Sequence, residues 1–141
     1  MIVLDTSVVL AFMDRDDPNH ERVREWMEAI KEELCATPLI LAELDHLVPR
    51  IGGARAAEAL RASFESGAYT VEWWRSALYE TIEIASRYQS IDLGLTDASL
   101  IALAAHLETQ KIATLDERHF RAVRPLDGAT ERFTLLPADA S

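Results

Sequence analysis

Two short, largely apolar segments that each end abruptly at an aspartate constrain the fold of this chain most. Residues 1–4 precede Asp5, and residues 112–115 precede Asp116. Both segments are typical of buried parallel strands, which are short and apolar on both faces. Open parallel sheets bind ligands beyond the carboxyl ends of their strands. We therefore predict that the two aspartates lie at one ligand-binding edge.

The chain between these segments alternates between strand and helix patterns. Apolar residues spaced three and four apart predict an amphipathic helix whose buried stripe contains Val23, Trp26, Met27, Ile30 and Leu34. Five other helices are predicted. Three cover residues 6–13, a segment from Pro38 to near Pro49, and a segment from the Gly52-Gly53 break to Gly67. A fourth has an apolar stripe of Leu78, Ile82, Ala85 and Tyr88, and a fifth begins at Thr96, which caps it. Further strands are predicted at residues 34–36, 69–73 and 133–136. Strands that alternate with helices predict an α/β fold of three layers, with a central, mostly parallel sheet of about five strands flanked by helices.

Composition narrows the class of protein. The 141 residues, 49% of them hydrophobic, predict a single globular domain over residues 1–141. Cys35 is the one cysteine, so it forms no disulfide within the chain and supports no thiolate zinc site, and a reducing cytoplasm fits best. The start of the sequence lacks a signal-peptide pattern, and no apolar run approaches the roughly 20 residues of a membrane span.

The charge balance sets a condition on any nucleic-acid function. Fourteen Lys and Arg against 24 Asp and Glu give a net charge of −10, which opposes binding of a polyanion by net attraction. If nucleic acid is the substrate, a local positive charge must offset this repulsion.

Two further acids are placed to join the aspartates at the sheet edge. Glu43 lies in the helix after the second predicted strand, flanked by apolar neighbours, and Asp97 lies in the first turn of a later helix. Four converging carboxylates repel one another unless a cation neutralises them. Oxygen-only ligands favour Mg²⁺ or Mn²⁺ over zinc, and such an ion activates water for attack on a phosphodiester. The same ion would offset the negative charge of the protein.

Each acid also has an ordinary structural interpretation. Asp5 is a possible cap or loop acid, Glu43 a possible solvated helix acid, and Asp116 a possible turn acid. Asp97 could simply favour the positive end of its helix dipole. Only the four together favour a metal site over these alternatives.

The segments that carry these acids resemble four ordered acidic motifs of the PIN-domain ribonucleases, and of the VapC-type toxins in particular. The matching segments are residues 2–7, 41–44, 95–102 and 113–120. The resemblance implies a PIN-like fold and a Mg²⁺- or Mn²⁺-dependent endoribonuclease of a type II toxin-antitoxin pair, in which Asp5, Glu43, Asp97 and Asp116 are catalytic and bind the metal. It also implies an RNA substrate, a cognate VapB-type antitoxin and a homodimer.

The resemblance assigns supporting roles at three further positions. Thr6 and Thr114 match hydroxyl positions that help to orient the acids. Asp92 stands where relatives often carry another acid, although an ordinary loop or capping role is the more frequent one for such a residue.

Other candidates are weaker. We expect His119 to pack or to make a loop contact, since a metal site makes its own nucleophile. A basic rim is possible at Arg15, Arg118, Arg121 and Arg124, although solvated loop charges are more common. Trp73 and Trp74 could stack on bases, but one ring in the core and one on the surface is the more frequent arrangement.

Rival functions are poorly supported by the sequence. A phosphoryl-accepting receiver domain needs an aspartate after its third strand, where Trp73 and Trp74 stand, and a D-x-D phosphatase needs a second aspartate where Ser7 stands. A non-catalytic PIN-fold module that binds RNA or a protein partner remains the alternative.

Overall fold

Five parallel strands form one sheet at the centre of the protein. A computed structural model describes residues 1–128 and 130–140. The strands are β1 (Ile2–Leu4), β2 (Leu34–Ala36), β3 (Tyr69–Val71), β4 (Lys111–Ala113) and β5 (Thr134–Leu136). Their order across the sheet is β3-β2-β1-β4-β5, and every pair is parallel. The predicted three-layer α/β class is confirmed.

The strand order places a switch point beside β1. The chain runs from β1 to β2 and β3 on one side, and then returns to add β4 and β5 on the other side. At such a point two loops leave the sheet in opposite directions, which opens a crevice at the carboxyl ends of the strands. Leu4 is level with Ala113 in the register, so Asp5 and Thr114 leave the sheet side by side at this crevice.

Six helices connect the strands. They are α1 (Thr6–Met13), α2 (His20–Ala29), α3 (Pro38–Glu65), α4 (Ala77–Arg87), α5 (Leu95–His106) and α6 (Glu117–Ala122), with a short 3₁₀ turn at Gln89–Ile91. α5 packs against β1 and α4, and α1 packs against α2 and α3. The core is continuous, and seven consecutive residues of α5, from Ala98 to Ala104, are buried. None of the helices in residues 1–128 and 130–140 is both long and apolar enough to cross a membrane.

Helix α3 differs from the sequence prediction. We predicted an end near Pro49, but the helix continues through Pro49, and the break comes at Gly53 (φ 71°, ψ −163°). A proline removes one backbone hydrogen bond and is compatible with a bent helix. The backbone conformation at Gly53 is accessible essentially to glycine alone, and this residue therefore sets the break.

One helix start and one buried stripe also differ. α2 begins at His20, after a turn in which the side chain of Asp17 accepts a hydrogen bond from the Asn19 N–H. α5 is capped by Gly94 rather than by Thr96. The predicted helix α4 is present, but Leu78 and Ile82 are exposed, whereas Thr81 and Ile84 are buried.

Candidate functional site

Asp5 is the most constrained acid at the switch point. It caps α1, is 6% exposed, and accepts a hydrogen bond from the backbone N–H of Thr6 at 2.8 Å. The hydroxyls of Ser7 and Thr114 donate to its other oxygen at 3.0 and 2.7 Å. These donors fix the orientation of a carboxylate that β1 delivers to the sheet edge.

A second layer of hydrogen bonds connects Asp5 to the loop after β4. The hydroxyl of Thr114, which donates to Asp5, accepts from the N–H of Asp116 at 3.0 Å. The hydroxyl of Ser7 in turn accepts from the N–H of Leu115 at 2.9 Å. The two predicted strand-end aspartates are therefore joined through the buried hydroxyl of Thr114, and the predicted orienting role of Thr114 fits this geometry.

The hydroxyl of Thr6 has a different environment from the one that the resemblance implies. It is buried and has no hydrogen-bond partner among the described residues. Thr6 contacts Asp5 through its backbone N–H, and the hydroxyl contact comes from the next residue, Ser7. Sequence reasoning missed Ser7, although its position two residues after Asp5 at a helix start is typical of capping side chains.

Asp97 and Asp116 meet across the crevice with His119. One ligand atom from each of these residues lies within 4.8 Å of the others. Nδ1 of His119 lies 2.9 Å from Oδ2 of Asp116 and 3.4 Å from Oδ2 of Asp97. The backbone N–H of His119 also donates to Oδ1 of Asp116, which caps α6.

The expectation that His119 makes a packing or loop contact misses this arrangement. Asp116 starts a helical turn, and the residue three positions later on a helix returns to the same side. The spacing between Asp116 and His119 was therefore the available signal in the sequence.

The charges of the other three predicted acids all act on Asp97. Its pKa is raised to about 6, by burial first and then by the charges of Asp5, Asp116 and Glu43, against the lowering effect of His119. Burial also raises the pKa of Asp5 against its hydrogen bonds, and Glu43 again contributes. The charge of Glu43, on α3, therefore acts on both Asp5 and Asp97.

Helix α3 is held to α5 by a pair of buried hydroxyls. Thr37 caps α3, and its hydroxyl lies 2.9 Å from that of Ser99. The hydroxyl of Ser99 donates to the carbonyl of Thr96 at 2.6 Å, so Thr37 is the donor in the pair. This contact fixes the helix of Glu43 relative to the helix of Asp97.

Asp92 lies outside the acid cluster. It is exposed and ends the 3₁₀ turn with a left-handed backbone (φ 56°, ψ 38°). Its side chain lines a neighbouring cavity together with Arg118 and His119. Of the arginines that we considered for a basic rim, Arg121 forms ion pairs with Asp139 and Glu117.

Comparisons with known proteins agree with the fold. The PIN domain family model matches residues 2–125. The chain belongs to the PIN domain family. It is 35% identical over 137 residues to Ribonuclease VapC26 of Mycobacterium tuberculosis, covering 96% of this chain and 100% of the relative. The predicted resemblance to VapC-type PIN domains is thereby confirmed.

Two solved structures share the fold of this PIN domain. The crystal structure of Mycobacterium tuberculosis VapC20, a sarcin-ricin loop cleaving toxin, superposes with a TM-score of 0.76 at 23% identity. The match covers 82% of this chain and 90% of VapC20. FitAcB from Neisseria gonorrhoeae gives a TM-score of 0.61 at 23% identity, covering 83% and 88% of the two chains.

Thr114 offers a direct test of the hydrogen-bond layer. We expect Thr114→Val to lower the free energy of unfolding by about 2 kcal/mol, because it leaves the N–H of Asp116 without its acceptor and removes one of the two hydroxyl donors to Oδ2 of Asp5. Chemical denaturation measures this change. Thr114→Ser keeps the hydroxyl and is expected to lose less stability, and equal stability of Thr114→Val and the wild type would contradict the assigned role.

Proposed function

We propose that this protein is a divalent-metal-dependent endoribonuclease that acts as the toxin of a type II toxin-antitoxin system and hydrolyses phosphodiester bonds of RNA. The observation that carries the proposal is the convergence of four carboxylates at the switch point of a PIN fold. The 35% identity to a protein named as a ribonuclease over nearly the whole chain supports it.

The residues at the site fit a hard divalent cation. The four acids offer carboxylate oxygens, and the raised pKa values of Asp5 and Asp97 reflect burial and negative charge that no cationic Lys or Arg offsets there. Cys35 lies buried on β2 and is not part of the cluster. We infer that Asp5, Glu43, Asp97 and Asp116 hold Mg²⁺ or Mn²⁺, which are the ions that such ligands favour.

The metal supplies acidity when bound, because it makes water a better nucleophile and neutralises charge on the phosphate. The protein supplies orientation. Ser7 and Thr114 hold Asp5, and His119 holds Asp116 with Nδ1, so these carboxylates are fixed before the substrate arrives. The cluster is also accessible, since the side chains of Asp97 and Asp116 are 22% and 36% exposed.

Cleavage of total cellular RNA by the purified protein tests the proposal. We expect cleavage in Mg²⁺ or Mn²⁺, none in EDTA, and recovery when metal is restored. Attack by water leaves no 2′,3′-cyclic phosphate on the products, which separates this activity from contaminating ribonucleases that use the 2′-hydroxyl. Binding of RNA or of a protein partner without metal-dependent cleavage would favour a non-catalytic PIN module instead.

An antitoxin of the VapB type is the expected partner in a cytoplasmic setting. The net charge of −10 favours a basic partner segment, because complementary charge accelerates association. The product of a neighbouring small reading frame should form a complex with this protein and stop RNA cleavage. Failure of any such product to inhibit would contradict the toxin assignment while leaving the nuclease assignment intact.

We also propose a homodimer. Helix α4 presents three exposed apolar side chains, with Leu78 at 54%, Tyr79 at 83% and Ile82 at 48% exposure. A surface of this kind is typical of an interaction site. Light scattering should give twice the monomer mass for the wild type and the monomer mass for Tyr79→Glu, and a monomeric wild type would contradict the proposal.

A further inference from the structure

A separate cavity lies beside the acid cluster. It measures about 230 Å³ and is lined by Ser90, Ile91, Asp92, Arg118, His119 and Ala122. This space is far larger than a single water needs, so the cavity has room for a ligand. The cavity is bordered by the 3₁₀ turn after α4 and by α6, whose first turn also contains His119.

His119 belongs to both the acid cluster and the cavity. Its Nδ1 faces the carboxylates of Asp116 and Asp97, which accept hydrogen bonds when ionised, so Nδ1 carries the proton. Nε2, the other ring nitrogen, takes no part in these contacts. It has no hydrogen-bond partner among residues 1–128 and 130–140.

Arg118 places a positive charge at the cavity, and no carboxylate of the described residues forms an ion pair with it. It is exposed on α6 and forms no ion pair within the described part of the chain. Arg121, on the same short helix, is by contrast held by Asp139 at 2.6 Å and by Glu117 at 3.1 Å. The guanidinium of Arg118 thus remains available for a phosphate, which it can bind through two parallel hydrogen bonds.

We propose that this cavity is a substrate subsite for the nucleotide next to the cleaved bond, in which Arg118 binds a phosphate and Nε2 of His119 forms a hydrogen bond with the ribose 2′-hydroxyl. The proposal rests on the ribonuclease function proposed above, and it adds a means of distinguishing RNA from DNA. The 2′-hydroxyl is the group by which a protein makes that distinction at a given site.

Asp92 fixes the direction in which the nucleotide enters. Its carboxylate lines the same cavity and repels a phosphate on its side. A phosphate in this cavity is therefore expected to contact Arg118 and to stay away from Asp92. This arrangement gives Asp92 a role in the subsite and separates it from the four acids of the cluster.

Binding of oligonucleotides by a cleavage-silenced protein tests the subsite. We would use Asp97→Asn in Mg²⁺ and measure the fluorescence anisotropy of a labelled single-stranded RNA of about 12 nucleotides, and of DNA of the same sequence. Arg118→Ala and His119→Ala would be added to this background. Arg22→Ala is the matched control, because Arg22 is an exposed arginine on α2, outside the cavity and without an ion pair in the described residues.

The two substitutions are expected to act differently. Arg118→Ala should weaken both RNA and DNA by about tenfold and should reduce the slope of log K against log salt by about 0.7, the value for one phosphate contact on a single strand. His119→Ala should weaken RNA by about tenfold and leave DNA unchanged. Arg22→Ala should leave the affinity within about twofold of the background.

Three results would overturn the subsite. In the first, Arg118→Ala binds RNA and DNA with the same affinity as the Arg22→Ala control. In the second, His119→Ala loses RNA and DNA affinity equally. In the third, the Asp97→Asn background binds no RNA. The second result is what a merely structural role of His119 gives. RNA cleavage by the wild type, with and without EDTA, is measured separately, so a wrong subsite is distinguishable from a wrong function.

Discussion

Asp97→Asn should reduce metal-dependent RNA cleavage by about three orders of magnitude or more, the loss expected when several kcal/mol of transition-state stabilisation disappear. Asparagine has the shape of aspartate but no charge. The charges of Asp5, Asp116 and Glu43 all act on the Asp97 carboxyl, so this substitution removes one of four converging charges. Cleavage of total RNA in Mg²⁺ measures the loss, and circular dichroism checks the fold.

The same substitution is expected to stabilise the metal-free protein. The pKa of Asp97 is raised to about 6 by burial and by neighbouring carboxylates, so its ionised form destabilises the fold at neutral pH. Asparagine removes this cost, which is about 2 kcal/mol after allowance for the part of the side chain that water reaches. Urea denaturation at pH 7.5 in EDTA measures the gain.

Asp45→Asn is the matched control for stability. Asp45 is an acid on α3 with a side chain 43% exposed, and its pKa is lowered by its ion pair with Arg61, so neutralising it should leave stability unchanged or slightly lower. It should also leave cleavage intact. Retained cleavage by Asp97→Asn, or a loss of stability on that substitution, would show that Asp97 does not belong to a repulsive, cation-binding cluster.

The sequence predicted the acid cluster because the acids sit at places that parallel topology dictates. Asp5 and Asp116 follow buried strands, and neighbouring parallel strands deliver their ends to one edge. Glu43 and Asp97 lie near the starts of the helices that flank this edge. Local patterns with period two or 3.6, together with the right-handed connection of parallel strands, were therefore sufficient.

The helix faces were less predictable, because periodicity does not say which stripe meets the core. On α4, Leu78 and Ile82 share a stripe, yet they are exposed, while the less apolar Thr81 is buried. α4 packs on α5, and the small residues Ala77 and Thr81 lie on its buried side. The stripe of larger residues is left on the surface, where a second copy of the chain could cover it.

The hydrogen bonds within the site depend on tertiary contacts, which a linear pattern does not contain. The contacts of Ser7 with Leu115 and of Thr114 with Asp5 join residues more than 100 positions apart. Thr37 and Ser99 similarly join two helices. His119 was within reach of a local argument, because its ring returns to Asp116 over one helical turn, whereas its second carboxylate contact, with Asp97, required the fold.

Mg²⁺ or Mn²⁺ should raise the melting temperature of the wild type at pH 7.5 by about 5 to 10 °C. At a metal concentration of 100 times Kd, binding to the folded state alone stabilises it by about 2.7 kcal/mol. For a domain of this size each kcal/mol corresponds to a few degrees. A thermal scan with and without EDTA measures the shift.

The stability of the metal-free protein should depend on pH through the same carboxylates that bind the metal. The folded-state pKa of Asp97 is about 6 and its ordinary value is 3.8, so the destabilisation is complete above pH about 6 and disappears as the pH falls towards 4. Asp5, whose pKa is also raised, acts in the same direction. The ion pair of Asp139 with Arg121 has the opposite sign, but the pKa of Asp139 is lowered to about 2, so its stabilisation is lost only below about pH 4.

Metal and protons therefore compete for the same carboxylates. The metal-free wild type should melt at a higher temperature at pH 5 than at pH 7.5, and added Mg²⁺ should have a smaller effect at pH 5 because protonated acids bind it poorly. In Asp97→Asn both effects should shrink, since one of the interacting carboxylate charges is gone. A metal-induced shift that is as large in Asp97→Asn as in the wild type would place the cation elsewhere on this acidic protein.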